Sequence, residues 1–514
     1  METLPQELIN CIVLFAERYP NQHKYYYAIH QSYERGKARS QFPRLAILNR
    51  AWKEAVEYIT FRRLHISTEN DLENFHEIVT GNRRKYVSQI SFTERSPEYS
   101  ESRYTLPEAS RRNQNKYNEN FTTKLEDLEE ILRKWKDDGL QNVLRLDSPL
   151  AFRKPEPRKS EPGSFYRRSC AADGFHRGLL QEPWLLRITH PNNLPTLSSI
   201  QHLTVEDGEQ RLLAPSTGPN LAFSLPNLQK VDWKFQDFYG SDEEESDLGP
   251  LYHLKYANAR KSKVRCAARA GFARSLMRAS FHRLKSAEIT LEHARPFDQR
   301  LPVRSIVPHD LPHYPFSTAI RTFSENLTSL TLSAHVDSTL FWPLEEPATL
   351  PSWPNLTTLD ITISLVTPSG ELYFTGSLSR LHPDDDDPAD GTIGDLVPGK
   401  RNYSNFRIRP DLGTCNPFLA ALSKAALQMP VLGSLMLTIE LQSDDGNSHI
   451  AYYAPGQESD WCDEDDGDEG KRRVYYDVDV RYWRPKYETA ARLRKVGEER
   501  FGGEVVERFI RGYI

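Results

Sequence analysis

Nine short segments of this 514-residue chain repeat one spacing, apolar-x-x-apolar-x-apolar, and that spacing constrains the fold more than any other feature. The clearest copies are Leu327/Leu330/Leu332, Leu356/Leu359/Ile361 and Leu432/Leu435/Leu437. Weaker ones are Phe61/Leu64/Ile66, Val87/Ile90/Phe92, Ile200/Leu203/Val205, Leu228/Val231/Trp233 and Leu284/Ala287/Ile289, with a partial copy ending at Leu144 and Leu146. The last two apolar positions of each copy stand two residues apart, so a strand turns both to one face and the residue between them to the other. Between successive middle residues the steps are 26, 54, 59, 28, 56, 43, 29 and 76 residues. Three steps have the length of a short turn-and-strand unit, and 54, 56 and 59 are near twice it, as though each hid one degenerate copy; 43 and 76 fit neither. Pro226-Asn227-Leu228, Glu325-Asn326-Leu327 and Pro354-Asn355-Leu356 each place a turn signal directly before a strand.

The pattern resembles an irregular leucine-rich-repeat array, in which stacked strands line a concave face and each repeat buries its apolar edge against its neighbours. Parallel strands of an ordinary mixed α/β domain generate similar hexads, and that alternative stays open. In such an array alternation turns Arg63, His65, His202, Glu206, Lys230, Asp232, Lys234, Glu288, Thr290, Thr358 and Asp360 outward. Their mixture of both charges with hydroxyls suits a surface that holds another protein, which makes them the candidate target-binding residues.

The first sixty residues have a different character. Pro5 fits the first turn of a helix, where its missing N–H costs nothing, and Glu7 favours the positive end of the helix dipole. Leu8, Ile9, Ile12, Val13 and Ala16 then fall on one helical face. A second helix is expected from Pro43, with Leu45, Leu48, Trp52, Ala55 and Ile59 at helical spacing. Two such helices cannot hide both stripes by themselves, so part of the apolar surface should meet a partner or the rest of the chain. Leu4-Pro5-Gln6-Glu7-Leu8-Ile9, followed by a second helix with Arg50-Ala51-Trp52-Lys53 and then Phe61 to Ile66, resembles an F-box. The polar, Tyr-rich stretch from Pro20 to Gln41 departs from that pattern, being longer than the usual connection. The resemblance implies that Leu4, Pro5, Leu8, Ile9, Ile12, Val13, Leu45, Leu48 and Trp52 form the surface, or its supporting core, that meets the Skp adaptor of a cullin-RING ubiquitin ligase.

Composition narrows the classes further. The formal net charge is only -5 with 27% charged residues, so no global attraction to nucleic acid or to acidic membranes is expected. Cys11, Cys170, Cys266, Cys415 and Cys462 lie far apart and fit neither a zinc site nor a disulfide framework. No basic region precedes the early apolar run, and no long uninterrupted apolar stretch follows, so a cytoplasmic or nuclear location is expected. Exposed insertions are expected near residues 96–120, 152–180, 240–260, 294–316 and 376–412, with self-repelling acidic runs at 242–245, 384–387 and 463–466. The last run fails as a calcium loop, because Asp468 stands where glycine is needed and Val474 where a glutamate is needed.

The basic stretch from Lys261 to Arg278 is expected to be an outer helix packed through Phe272, Leu276 and Leu284, with its arginines in water. Pro417 to Met429 is expected to be a helix, Arg473 to Trp483 a half-buried strand and Glu488 to Phe509 a terminal helix interrupted at Gly502-Gly503, an ending that loosely resembles that of many fungal F-box proteins. No phosphate-binding, dinucleotide, zinc-protease or nucleophile-elbow motif occurs, so no catalytic residue, metal or cofactor is assigned. The expected fold is therefore α/β (α+β): a helical F-box over 1–60, an irregular leucine-rich-repeat-like solenoid over 61–441 with long insertions, and a C-terminal acidic loop, strand and capping helix over 442–514. The expected function is that of a non-catalytic substrate-recognition subunit of a Skp–cullin–F-box ubiquitin ligase, joined to a cullin scaffold through the adaptor and holding an unidentified target protein. The alternative is a protein-interaction scaffold outside any ligase, whose N-terminal helices cap the array.

Overall fold

In the computed structural model all nine hexads end in strands, and those strands lie side by side in chain order. The structure describes residues 5–6, 8–10, 45–67, 69–93, 107–135, 142–147, 185–207, 213–235, 252–291, 303–311, 313–345, 349–376, 407–443, 446–459, 468–478 and 483–510. Strands β1 (Arg63–Ile66), β2 (Gln89–Thr93), β3 (Asn142–Asp147), β4 (Ile200–Glu206), β5 (Lys230–Phe235), β6 (Ser286–Leu291), β7 (Ser329–Ala334) and β8 (Thr358–Ser364) each pair in parallel with the next. A separate antiparallel pair, β9 (Phe374–Gly376) and β10 (Arg407–Pro410), intervenes before β11 (Ser434–Ser443) takes its place beside β8, again in parallel. The twelve-stranded sheet ends with β12 (Gly446–Tyr453) and β13 (Arg472–Asp477), both antiparallel to their predecessors, and β14 (Val505–Ile510), parallel to β13.

The register is set by the apolar pattern. Leu64, Ile90, Leu144, Leu203, Val231, Ala287, Leu330, Leu359 and Leu435, the middle residues of the nine hexads, pair one with the next across the sheet. A second row runs from Ile66 through Phe92, Leu146, Val205, Trp233, Ile289, Leu332 and Ile361 to Leu437, and continues through Ile450 and Tyr476 to Phe509. A slip of one residue would turn both rows into water, which is why the pairing holds despite the uneven steps in sequence. The first apolar residue of six hexads serves another purpose. Val87, Leu228, Leu284, Leu327, Leu356 and Leu432 each donate a backbone N–H to the carbonyl three residues back, at 3.0–3.4 Å, and each is buried. Neighbouring turns are tied by side chains: Ser88 Oγ donates to the Arg62 carbonyl, Thr328 Oγ1 to that of Lys285 and Thr357 Oγ1 to that of Thr328. Asn227, from the Pro-Asn-Leu signal, donates Nδ2 to the Ser198 carbonyl at 2.7 Å.

Helices pack on the face carrying those two rows. The chain contributes α1 (Arg50–Arg62), α2 (Glu69–Ile78), α3 (Asn82–Tyr86), α4 (Pro107–Arg133), α5 (Thr217–Ala222), α6 (Tyr252–Arg278), α7 (Pro315–Ser324), α8 (Cys415–Ala426), α9 (Tyr487–Lys495) and α10 (Glu498–Phe501). Phe121, Leu125, Leu128 and Leu132 of α4, Phe272 and Leu276 of α6, Phe316, Ile320 and Phe323 of α7, and Phe418, Leu419 and Leu422 of α8 join one continuous core with the strand rows. Burying each such side chain contributes roughly 1.5–3 kcal/mol. Trp233 sits at the centre, edge-on to Phe272 and stacked on Phe323, with Gly218 against its ring, where a Cβ would lie 3.1 Å from the indole. Among the described residues no helix is long and apolar enough to cross a membrane.

Several elements differ from the sequence expectation. The expected loop 96–120 overlaps α4, which starts at Pro107; its core-facing side chains begin with Tyr117 and Phe121, and three of its polar residues are tied to the backbone of 185–189. Asn118 Oδ1 accepts from Arg187 N, Thr122 Oγ1 accepts from Thr189 N, and Gln114 Nε2 donates to the Leu185 carbonyl. The expected insertions at 240–260, 294–316 and 376–412 likewise overlap the starts of α6 and α7 and the strand β10. Leu284 lies in the turn after α6, not on the helix.

The second N-terminal helix is interrupted: Leu45 is helical, residues 46–48 form a turn, and α1 starts afresh at Arg50, where Asn49 caps it by accepting from Trp52 N at 3.1 Å; Pro43, the expected start, lies outside the described residues. β13 is buried on both faces from Arg472 to Tyr476, and the expected terminal helix gives way to β14 after Gly502 and Gly503, both at positive φ. Arg472 holds this end together, donating to the carbonyls of Arg494, Val496, Gly502 and Gly503. Leu4, Ile12, Val13, residues 20–41 and 152–180, and the three acidic runs lie outside the described residues.

Candidate functional site

Two surfaces gather the residues singled out from the sequence. The first lies at the β1 end of the sheet, where Ile9, Ala55 and Val56 form a small separate core flanked by Leu45, Ala46, Ala51, Trp52 and Ile59. Gln6 fastens the N-terminal turn to α1 by donating Nε2 to the Ala51 carbonyl at 3.2 Å. Ile9 is 2% exposed, whereas Leu8 is 50%, Leu48 59% and Ile47 83% exposed. The expected adaptor-facing set thus divides: Ile9 supports, Leu45 and Trp52 are half-buried against it, and Leu8, Leu48 and Pro5 face outward. Ile47 belongs with the exposed set, and the sequence reading missed it because the chain turns there. α1 runs directly into β1 and is tied to α3 by Glu57, whose Oε1 accepts from Arg83 Nε and Nη2 at 3.1 and 2.9 Å.

The second surface is the sheet face opposite the helices. Arg63, His202, Lys230 and Thr358 fall in one cross-strand row, with Ser286, Ser329 and Ser434. His65, Asp232, Glu288 and Asp360 fall in the next, with Thr204, Thr331 and Met436. Glu206, Lys234 and Thr290 share a third with Ser333, Thr362 and Thr438. Every candidate target-binding residue therefore stands on this face. Ser286, Ser329, Thr331, Ser333, Thr362, Ser434 and Thr438 occupy the same outward positions as Thr290 and Thr358 but carried no signal of their own in the sequence.

Charge is organised strand by strand. His202 Nε2 lies 2.6 Å from Asp232 Oδ2, and since a carboxylate can only accept, Nε2 carries the proton. Lys230 Nζ approaches Asp232 Oδ1 at 3.2 Å, and Lys234 Nζ pairs with Glu288 Oε1 at 2.8 Å. Burial opposes ionisation of Asp232, but the His202 hydrogen bond and the charges of His202 and Lys230 outweigh it and hold the carboxyl below its usual range. The hydrogen bond to Glu288 raises Lys234, against a smaller opposing effect of burial. Asp360 has no such help, and burial alone raises it. Among the described residues no group of three or more His, Cys, Asp or Glu side chains is placed to hold a metal ion.

No protein-family model matches this chain, and no curated protein matches it. The surfaces have to be read from their own chemistry. An exposed apolar cluster beside a small core suits a docking helix, and an extended face of mixed charge and hydroxyls suits a polypeptide.

Proposed function

We propose that the chain is a substrate-recognition subunit of a Skp–cullin–F-box ubiquitin ligase, with its N-terminal helices as the F-box and its sheet as an irregular leucine-rich-repeat-like array that holds a target protein. The observation that carries this reading is the exposed group Leu8, Ile47 and Leu48 beside the Ile9/Ala55/Val56 core, at one end of a ladder that joins the middle residues of all nine hexads. The recurring buried turn before six of the strands supports the comparison with repeats, since each unit buries its apolar edge only against its neighbours. The mechanism is proximity: the face holds the target and the adaptor links it to the ubiquitin-transferring subunits, so that effective concentration replaces chemistry by this chain.

The test is binding of the purified full chain to the Skp adaptor, with a Leu8→Asp/Leu48→Asp variant. Both side chains are exposed, so the variant should keep its thermal midpoint while losing at least about tenfold in affinity, as expected when central apolar contacts are replaced by charge. No binding by folded wild-type protein would sink the proposal. That outcome would favour a second reading, in which the N-terminal helices serve as a cap, supported by the direct passage of α1 into β1 and the Glu57–Arg83 link.

A further inference from the structure

Opposite charges meet on the outward face at Asp232 and at Glu288, and among the described residues Asp360 is left without a counter-charge. In the middle row Asp232 is answered by His202 and Lys230, and Glu288 by Lys234. The next acid in that row is Asp360, two strands beyond Glu288 with Thr331 between them. Among the described residues Asp360 has neither a hydrogen-bond partner nor an ion-pair partner. It is half-buried all the same, and burial raises its pKa. Thr358 and Thr362 flank it on β8, Thr331 and Met436 stand beside it on β7 and β11, and Ser329, Ser333, Ser434 and Thr438 complete the surrounding rows. A desolvated carboxylate without a counter-ion is costly to keep, and a field of neutral hydroxyls softens that cost without removing it.

We propose that Asp360 and the hydroxyls around it form a recognition site for an arginine side chain of a target protein. The inference rests on reading this face as the target-holding surface. A guanidinium matches the place better than an ammonium. Its planar fork gives two parallel N–H bonds to one carboxylate and leaves further donors pointing sideways, where the threonine and serine oxygens can accept. Rows on neighbouring strands lie about 4.8 Å apart, so Thr331 is within reach of a guanidinium seated on Asp360. The Met436 side chain on the other side offers apolar contact to the arginine stem. Phosphate-bearing partners are disfavoured, since their charge would meet the unanswered carboxylate.

The test presents the full chain with a displayed library of random-sequence peptides, selected in parallel on wild type, Asp360→Asn and Asp360→Arg, each checked for native circular dichroism. Arginine should be enriched in the wild-type pool, lose its enrichment on Asp360→Asn, and give way to acidic residues on Asp360→Arg. A selected peptide remade with citrulline for arginine should bind wild type about tenfold more weakly, and Asp360→Asn with no further loss. A wild-type pool without arginine enrichment overturns the inference, as do arginine peptides that bind Asp360→Asn as tightly as wild type. Lysine enriched in place of arginine overturns the choice of guanidinium. If Asp360→Arg fails to fold, Asp360→Asn and the citrulline peptide decide alone. The face reading fails separately, when selected peptides are indifferent to Lys234→Glu and Thr358→Lys as well as to Asp360→Asn. An empty pool overturns both.

Discussion

Glu129 on α4 is fully buried, and only one of its carboxyl oxygens meets a donor, the Ser224 hydroxyl at 3.2 Å. Burial pushes its pKa up to about 8, with a smaller push from Glu126, while the Ser224 bond acts the other way. The native state therefore holds a proton that the unfolded chain releases near pH 4.5. Its contribution is fully present below that pH and is lost as pH rises toward 8, by at most about 4 kcal/mol. Glu129→Gln, which cannot ionise, should match wild-type stability near pH 5 and exceed it at pH 8; urea melts at the two values check this, and equal gaps at both would refute it. Little of this was legible in the sequence. Glu129 sits in a run of acids, Glu126, Asp127, Glu129 and Glu130, and only the helix phase that turns Leu125, Leu128 and Leu132 inward carries Glu129 in with them. Arg472 was equally hidden, because its four carbonyl acceptors lie 22 to 31 residues further along the chain.

The turn-and-strand element explains both what the sequence disclosed and what it concealed. Leu327 and Leu356 each close a buried turn, whereas Ser329 and Thr358, two residues later, face outward. Leu356→Ala or Leu327→Ala should cost about 2–5 kcal/mol in urea unfolding, through lost contacts and the cavity left behind. Ser329→Ala and Thr358→Ala should change stability by no more than about 0.5 kcal/mol. Similar costs for both pairs would mean that the outward rows are not a surface. The hexads were readable because one spacing specifies turn, inward rows and outward residues together. Elements without such a signature were misread. β14 follows two positive-φ glycines and carries Glu507 and Arg508 between apolar residues, so its charges resembled a helix surface. In the structure Glu507 answers Arg494 at 2.8 Å and Arg508 answers Asp468 at 2.6 Å. Long-range ion pairs of this kind leave no local trace in sequence.

At the scale of the whole molecule, a sheet ordered by sequence turns chain position into distance. Uneven steps such as 43 and 76 residues still end in adjacent, in-register strands, because the extra length is taken up outside the sheet, by elements such as β9, β10 and α8 before β11. Asp360 on β8 is seven strand steps from β1, the strand that follows α1, and it is on α1 that the small core beside the exposed Leu8 and Leu48 is built. At about 4.8 Å per step β8 stands about 34 Å from β1 along the sheet. Neighbouring strands share one packed core, so the sheet is expected to act as a stiff spacer between its two ends. Adaptor and arginine peptide should therefore bind independently. Titrating the peptide into the chain with and without saturating Skp adaptor should give dissociation constants equal within about twofold, and Leu8→Asp/Leu48→Asp should leave peptide affinity unchanged while Asp360→Asn leaves adaptor affinity unchanged. Coupling of tenfold or more, about 1.4 kcal/mol, would show that the two surfaces are not separate and that adaptor docking reshapes the face proposed to hold the target.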